Sequence, residues 1–193
     1  MGVLPKGKAM TRAKARVGDD VYVSNTLGDA ALALACTEGE LQFRESHLAK
    51  LLVALNQPQP QVELGKGLLN IANACIDVSD GIVADLGHIA KQSEVSIELD
   101  VEKLPLSAEY RQHLSMGGNH DLALAGGDDY ELAFTAVRDR RGELSELSER
   151  LDVPITKIGR VIKAQAQAVS LKLDGTAYEL SKTLGYQHFQ NEQ

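Results

Sequence analysis

Cys75-Ile76-Asp77-Val78-Ser79-Asp80-Gly81, continuing as Ile82-Val83-Ala84-Asp85-Leu86-Gly87-His88-Ile89, reads as a strand that turns into a helix. The change from period-two to helical patterning falls at Asp77–Asp80, and Gly81 relieves the backbone where the direction changes. Two carboxylates and the Ser79 hydroxyl crowd this corner. Such a corner either caps a helix or holds a hard divalent cation with the phosphates that accompany it, and the stretch alone leaves both open. In the helix beyond, Ile82, Val83, Leu86 and Ile89 share a face, which puts Asp85 and His88 on the exposed side. A metal or phosphate site here belongs at the helix N-terminus, where unpaired N–H groups and the dipole favour anions.

Upstream, residues 63–74 pattern as a helix with Leu64, Leu68, Ile71 and Ala72 on its buried stripe. An earlier helix starts at Ser46, its expected N-cap, buries Leu48, Leu51, Leu52 and Leu55, and ends before Pro58 and Pro60. His47 and Lys50 are expected to face solvent. The Ala-rich run 29–35 reads as a close-packed helix stopped near Gly39, after a strand at Val21 and Val23. Residues 2–20 gather Lys6, Lys8, Arg12, Lys14 and Arg16, which form either a solvated terminus or an arm that reaches phosphate oxygens.

Downstream, Ile97, Leu99 and Val101 alternate with acidic residues as a half-buried strand does, and Ser107 opens a short polar helix. A second acidic turn, Gly126-Gly127-Asp128-Asp129, precedes a strand over 130–137. Its two aspartates are either solvated in a tight turn, or one of them faces a ligand at a strand edge. A charged helix over 139–151 and a strand over 155–161 follow. Asp174-Gly175 then joins Val169–Leu173 to residues 177–180 as a two-residue hairpin. Tyr186 and Phe189 in the last ten residues are expected to pack or to touch a ligand. Helices interleaved with strands and one antiparallel hairpin predict a single α/β domain with a mixed sheet flanked by helices.

The 193 residues are 44% hydrophobic, enough for a substantial core, but only 4% aromatic with no Trp. No aromatic platform for single-stranded nucleic acid is expected, and a net charge of −7 repels a polyanion. A small phosphorylated ligand still binds where metal ions or local Arg and Lys reverse the sign. Cys36 and Cys75 lack metal-ligand spacing and read as buried free thiols, which suits a reducing cytoplasm. No apolar run suits a signal peptide or a membrane span, so a soluble, cytoplasmic protein is expected. The sequence has no P-loop, Rossmann glycine fingerprint, zinc-finger spacing or G-x-S-x-G elbow.

Four motifs in order resemble thiamine-monophosphate kinase: Gly7-Lys8-Ala9-Met10-Thr11-Arg12; Ile76–Gly81 with Asp85-Leu86-Gly87-His88-Ile89; Gly126-Gly127-Asp128-Asp129-Tyr130-Glu131-Leu132; and Gly185-Tyr186-Gln187-His188-Phe189. The resemblance runs over essentially the whole chain. It corresponds to the second half of that enzyme, the C-terminal domain shared in outline with aminoimidazole ribonucleotide synthetase and selenophosphate synthetase. It implies that domain's fold and transfer of the ATP γ-phosphoryl group to thiamine monophosphate, giving thiamine diphosphate, with Mg²⁺ between enzyme and nucleotide. On this resemblance Asp77 and Asp80 are Mg²⁺ ligands, Ser79 and Arg12 contact the ATP phosphates, and Asp128 and Tyr186 line the thiamine phosphate pocket.

The chain departs from the family pattern in three places. Asp128 stands where the family usually has Glu, and Gln57 and Gln61 replace the arginines of an Arg-Pro-x-Pro-Arg run. The family's N-terminal half, with most of its metal-binding aspartates and its dimer-forming sheet, is absent. Residues 1–193 are therefore expected to be one domain of a two-domain, homodimeric kinase, with 1–20 as a basic arm, inactive alone. Two alternatives stand beside this: another ATP-using member of the superfamily, such as selenophosphate synthetase, and a diverged non-catalytic domain that binds a nucleotide or a partner.

Overall fold

The computed structural model describes Gly7 and residues 9–181. Strand β1 (Asp20–Ser24) shows the alternation that sets the two layers. Val21 and Val23 enter one core and Tyr22 the other. Around it forms one seven-stranded sheet from β2 (Ala74–Val78), β3 (Ser96–Asp100), β4 (Glu131–Ala136), β5 (Ile155–Ile162), β6 (Val169–Leu173) and β7 (Thr176–Ala177). Its strand order is β2-β4-β1-β5-β3-β6-β7. Every neighbouring pair is antiparallel except β3–β6, where Ile97 lies opposite Val169. The sheet is thus mixed, as expected, by virtue of one parallel pair.

The larger core fills the face under α1 (Asp29–Thr37), α4 (Ile82–Ser93), α5 (Ala108–Ser115) and α6 (Asp121–Ala125), and α2 (Glu45–Asn56) packs outside α1. Ala30, Ala33 and Ala35 are buried in α1, the close packing that their small side chains permit. The opposite face carries α3 (Val62–Leu68) and α7 (Arg141–Leu151), whose Leu64, Leu68, Leu144 and Leu147 cover Tyr22 and Phe134. Those two rings stack at 5.4 Å. Among the described residues no helix is long and apolar enough to cross a membrane.

Several local expectations change. The helix expected over 63–74 ends at Leu68, because Asn73 must deliver its N–H to the Thr135 carbonyl and Ala74 already pairs with Thr135 in β2. Helix α2 begins one residue before Ser46, with Arg44 at the N-cap position and no side-chain cap. His47 is half-buried rather than solvent-facing. Lys50 is exposed as expected and pairs with the buried Glu109 at 2.8 Å. Ser107 caps α5 as expected, accepting the Tyr110 N–H at 3.0 Å.

Candidate functional site

Strand β2 lies at the sheet edge, with Asp77 exposed near its end and opposite Leu132 of β4. The chain leaves it through Ser79, Asp80 and Gly81 and enters α4. Gly81 has φ +106° and ψ 144°, backbone that an L side chain rarely adopts, and a Cβ there would lie 2.8 Å from the Ala125 carbonyl carbon. Glycine is required because this turn touches the end of α6.

Asp85 is buried, not exposed as its helical register predicts. Its Oδ2 accepts the N–H of Ser79 at 2.9 Å and of Asp80 at 3.0 Å. An acid in the first turn of α4 reaches back over the helix start and takes donors that would otherwise be unpaired. The helix N-terminus is therefore partly filled by its own carboxylate, and phosphate oxygens approaching here meet side chains more than those two amides. Burial pushes the Asp85 carboxyl above its ordinary range, against the pull of the two amides. His88 is exposed as expected.

The second acidic turn docks on the first. Asp128 donates its N–H to the Ser79 carbonyl at 3.0 Å, and Tyr130 donates to the Val78 carbonyl at 2.8 Å. Gly127 allows this approach, since a Cβ there would stand 2.4 Å from the Ser79 carbonyl oxygen. Asp128 is exposed at the rim, whereas Asp129 turns inward, both its oxygens 3.0 Å from the Gly28 nitrogen. Of the two aspartates, only Asp128 faces the open side. The Tyr130 phenol is pushed above its ordinary value first by the charge of Asp128, and further down the order by Asp77 and Asp80. Asp77 and Tyr130 line one cleft, and the Asp128 turn is tied to the Ser79 backbone beside it.

Residues 11–15 lie against β2 and the end of α4. Cys75 donates its N–H to the Thr11 carbonyl at 3.2 Å, while Ser93 at the end of α4 donates to the Arg12 carbonyl at 2.7 Å and accepts from Ala15 at 3.1 Å. Arg12 is exposed and, with Asp77, Cys75 and Gln92, lines a cleft of about 540 Å³. A neighbouring apolar cleft of about 410 Å³ runs from Met10 and Asp77 past Pro58, Pro60 and Val62 to Tyr130. A third, over Tyr22, Arg141 and Lys157, holds none of the expected site residues, and both cations are engaged by Asp20.

The donor chemistry suits Mg²⁺, which takes a few hard carboxylate oxygens and completes its shell with water and phosphate. The set is open: among the described residues no group of three or more His, Cys, Asp or Glu is arranged to hold a metal ion. Cys75 is a half-buried free thiol whose pKa burial, aided by the Asp77 charge, pushes up to about 12, so it stays protonated and is no nucleophile near neutral pH. Tyr186 lies outside the described residues. Sequence reading missed Asp85, Asp129 and Glu131. The last is buried, accepting from the Ser24 hydroxyl, from Asn25 Nδ2 at 3.0 Å and from Gln61 Nε2 at 3.4 Å. An acid in the first turn of a helix is the one signal that points to Asp85.

Known proteins resemble this chain in sequence and in fold. The chain is 39% identical over 189 residues to the thiamine-monophosphate kinase of Salmonella typhimurium, covering 97% of this chain and 58% of that protein. The crystal structure of thiamine-monophosphate kinase from Stenotrophomonas maltophilia K279a superposes with a TM-score of 0.81 at 44% identity, over 91% of this chain and 56% of that one. The structure of AaThiL complexed with AMPPCP and TMP superposes with a TM-score of 0.76 at 35% identity, over 93% and 54%. The chain therefore spans little more than half the length of the relatives it matches. Residues 16–172 match the family described as AIR synthase related protein, C-terminal domain, a span that takes in both acidic turns and every strand up to β6. By that match the chain belongs to the AIR synthase related protein family, as a representative of its C-terminal domain.

Proposed function

We propose that this chain is the C-terminal domain of a thiamine-monophosphate kinase and carries one edge of a composite site for ATP-dependent phosphorylation of thiamine monophosphate. The observation that carries this reading is the docking of the Asp128 turn on the Asp77–Asp80 turn, with Arg12 sharing a cleft with Asp77, in a chain 39% identical to a curated kinase of that activity. The relatives do not favour a selenophosphate synthetase or a non-catalytic domain.

In this reading the bond from the γ-phosphorus to the β-phosphate bridging oxygen breaks as a bond to a phosphate oxygen of thiamine monophosphate forms, leaving ADP and thiamine diphosphate. Such transfer needs positioning and charge neutralisation more than a nucleophile. Asp77 and Asp80 would hold Mg²⁺, which supplies neutralisation of the phosphate charge when bound. Arg12 offers a planar fork to phosphate oxygens, and Ser79, whose backbone N–H is committed to Asp85, offers its hydroxyl as a donor. In this reading Asp128 and Tyr186 would line the thiamine phosphate pocket, where an acidic rim and an aromatic ring suit the cationic thiamine moiety. In this reading the remaining metal ligands lie outside residues 1–193, and this stretch by itself binds without turning over. The full-length enzyme is cytoplasmic and homodimeric in this reading.

Calorimetry with thiamine monophosphate, thiamine diphosphate and ATP, each with and without Mg²⁺, tests the assignment. Thiamine-phosphate binding is the expected result. Binding of ATP alone, with no response to either thiamine phosphate, would overturn it, and turnover by the purified chain would overturn the composite-site part.

A further inference from the structure

From Asp128 to Glu131 the side chains alternate between the site and the interior. Asp128 and Tyr130 point outward, Tyr130 being 42% exposed, while Asp129 and Glu131 are taken up inside. The outward pair has backbone that non-glycine residues avoid, with φ +70° at Asp128 and φ +52° at Tyr130. For a bulky residue such as tyrosine this left-handed conformation is an outlier that persists only where the surroundings impose it.

The imposing contacts are specific. Asp129 grips the N–H of Gly28, the residue that opens α1, with both carboxylate oxygens at 3.0 Å. Gly28 is itself fixed: its φ is +85°, and a Cβ there would lie 2.5 Å from the Tyr110 ring and 2.8 Å from the Ala123 Cα. Glu131 accepts from Ser24 and Asn25 at the end of β1, and Ser24 Oγ in turn accepts the Leu132 N–H at 2.9 Å. Carboxyl oxygens accept these N–H and O–H groups, so each anchor satisfies interior donors at the two ends it bridges. Asp129 also lies at the positive end of α1.

We infer that Asp129 and Glu131 are positioning residues: anchored on Gly28 and on Ser24–Asn25, they hold the turn in the left-handed conformation that aims Asp128 and Tyr130 at the substrate. The inference rests on the reading in which Asp128 faces the thiamine phosphate. It assigns to neither anchor any contact with substrate.

The test is amide hydrogen exchange on the 193-residue chain, followed by thiamine monophosphate titration. In Asp129→Ala and Glu131→Ala, protection of the Asp128 and Tyr130 amides is expected to fall at least about ten-fold while Val21 and Phe134 in the sheet keep theirs. Asp129→Asn and Glu131→Gln, which retain an oxygen acceptor, should stay within about three-fold of the parent. The alanine variants should also weaken thiamine monophosphate binding and leave ATP binding unchanged, a split that general destabilisation would not produce. Unchanged exchange at Asp128 and Tyr130 in both alanine variants, or equal loss in the alanine and amide variants, overturns the inference. Failure of the underlying reading shows differently: Asp128→Ala then binds thiamine monophosphate like the parent, whatever the exchange pattern.

Discussion

The carboxylate of Asp85 accepts the backbone N–H of Asp80 at 3.0 Å, so a buried acid in the first turn of α4 fixes the backbone of a half-exposed acid at the rim. Asp85→Ala removes the acceptor for two amides at once and should cost about 1–3 kcal/mol of stability. By loosening the Ser79–Asp80 turn it should also lower Mg²⁺-dependent nucleotide affinity in the complete enzyme about ten-fold. Asp85→Asn, which keeps one acceptor oxygen, should recover most of both. Chemical denaturation and nucleotide titration check this, and equal behaviour of the two variants would rule out the proposed grip.

Asp77→Asn and Asp80→Asn keep side-chain volume and remove charge. Each should weaken Mg²⁺-dependent nucleotide binding in the complete enzyme, with little change in melting temperature, because Asp77 is exposed and Asp80 half-exposed. Identical Mg²⁺ titration curves for parent and both variants would exclude them as metal ligands.

Gly127→Ala forces a methyl group to within 2.4 Å of the Ser79 carbonyl oxygen. Backbone on both sides gives way poorly, so a loss of about 1–3 kcal/mol is expected. The denaturation midpoint reports this. A neutral substitution would mean that the two acidic turns are not held against each other.

Asp121 is buried at the head of α6 and accepts from the Tyr178 hydroxyl at 2.8 Å and from the Ser181 N–H at 3.1 Å. Asp121→Ala should release the segment after β7. Limited proteolysis should then cut between residues 174 and 181 several-fold faster than in the parent, while the β1–β4 core resists. Equal cleavage rates would show that this clamp is unimportant.

Stability should peak at mildly acidic pH. The Asp20 carboxyl is desolvated, but hydrogen bonds from Lys157 and Arg141 outweigh that and hold its pKa below the ordinary carboxylate value, and Lys172 does the same for Glu98. These groups contribute stability above the unfolded value of about 4 and lose it as pH falls through their folded pKa. Burial acts in the other direction on Asp29 and Glu131, raising both. Their contribution is complete below the unfolded pKa and is lost as pH rises through the raised one. Melting temperatures across the pH range should show this maximum, and Glu131→Gln should flatten its alkaline side. A melting temperature that climbs steadily to about pH 8 would contradict the assignment of the raised groups.

Periodicity made the layer structure legible: the 75–81 strand-to-helix corner, the Ala-rich α1 and the Ser107 cap stand where their residues place them, and Asp174-Gly175 turns the expected hairpin, though its return strand is Thr176–Ala177 rather than 177–180. The sheet's neighbours were not legible, because antiparallel β4 and β5 flank β1 through pairings more than 100 residues apart in sequence. Local pattern carries no such information. The inward acids were hidden for a related reason. Alternation is read from hydrophobic contrast, and Asp128-Asp129-Tyr130-Glu131 has almost none, so which of its members turn inward depends on donors at Gly28 and Ser24. Asp85 followed the helical wheel on paper but folds back over the helix start, a reach that face arithmetic ignores.

The position of β1 between β4 and β5 has a consequence for how the chain is made. As the polypeptide emerges, the strand at 20–24 has neither neighbour until residues beyond Glu131 and Ile155 exist. At usual rates of synthesis that leaves it unpaired on both edges for roughly 5–20 s. Val21 and Val23 offer a short apolar template during that wait, and the charges of Asp19 and Asp20 directly before them are the kind that discourage intermolecular strand addition. The buried acid that later collects Arg141 and Lys157 would thus have served first as a gatekeeper for the nascent chain.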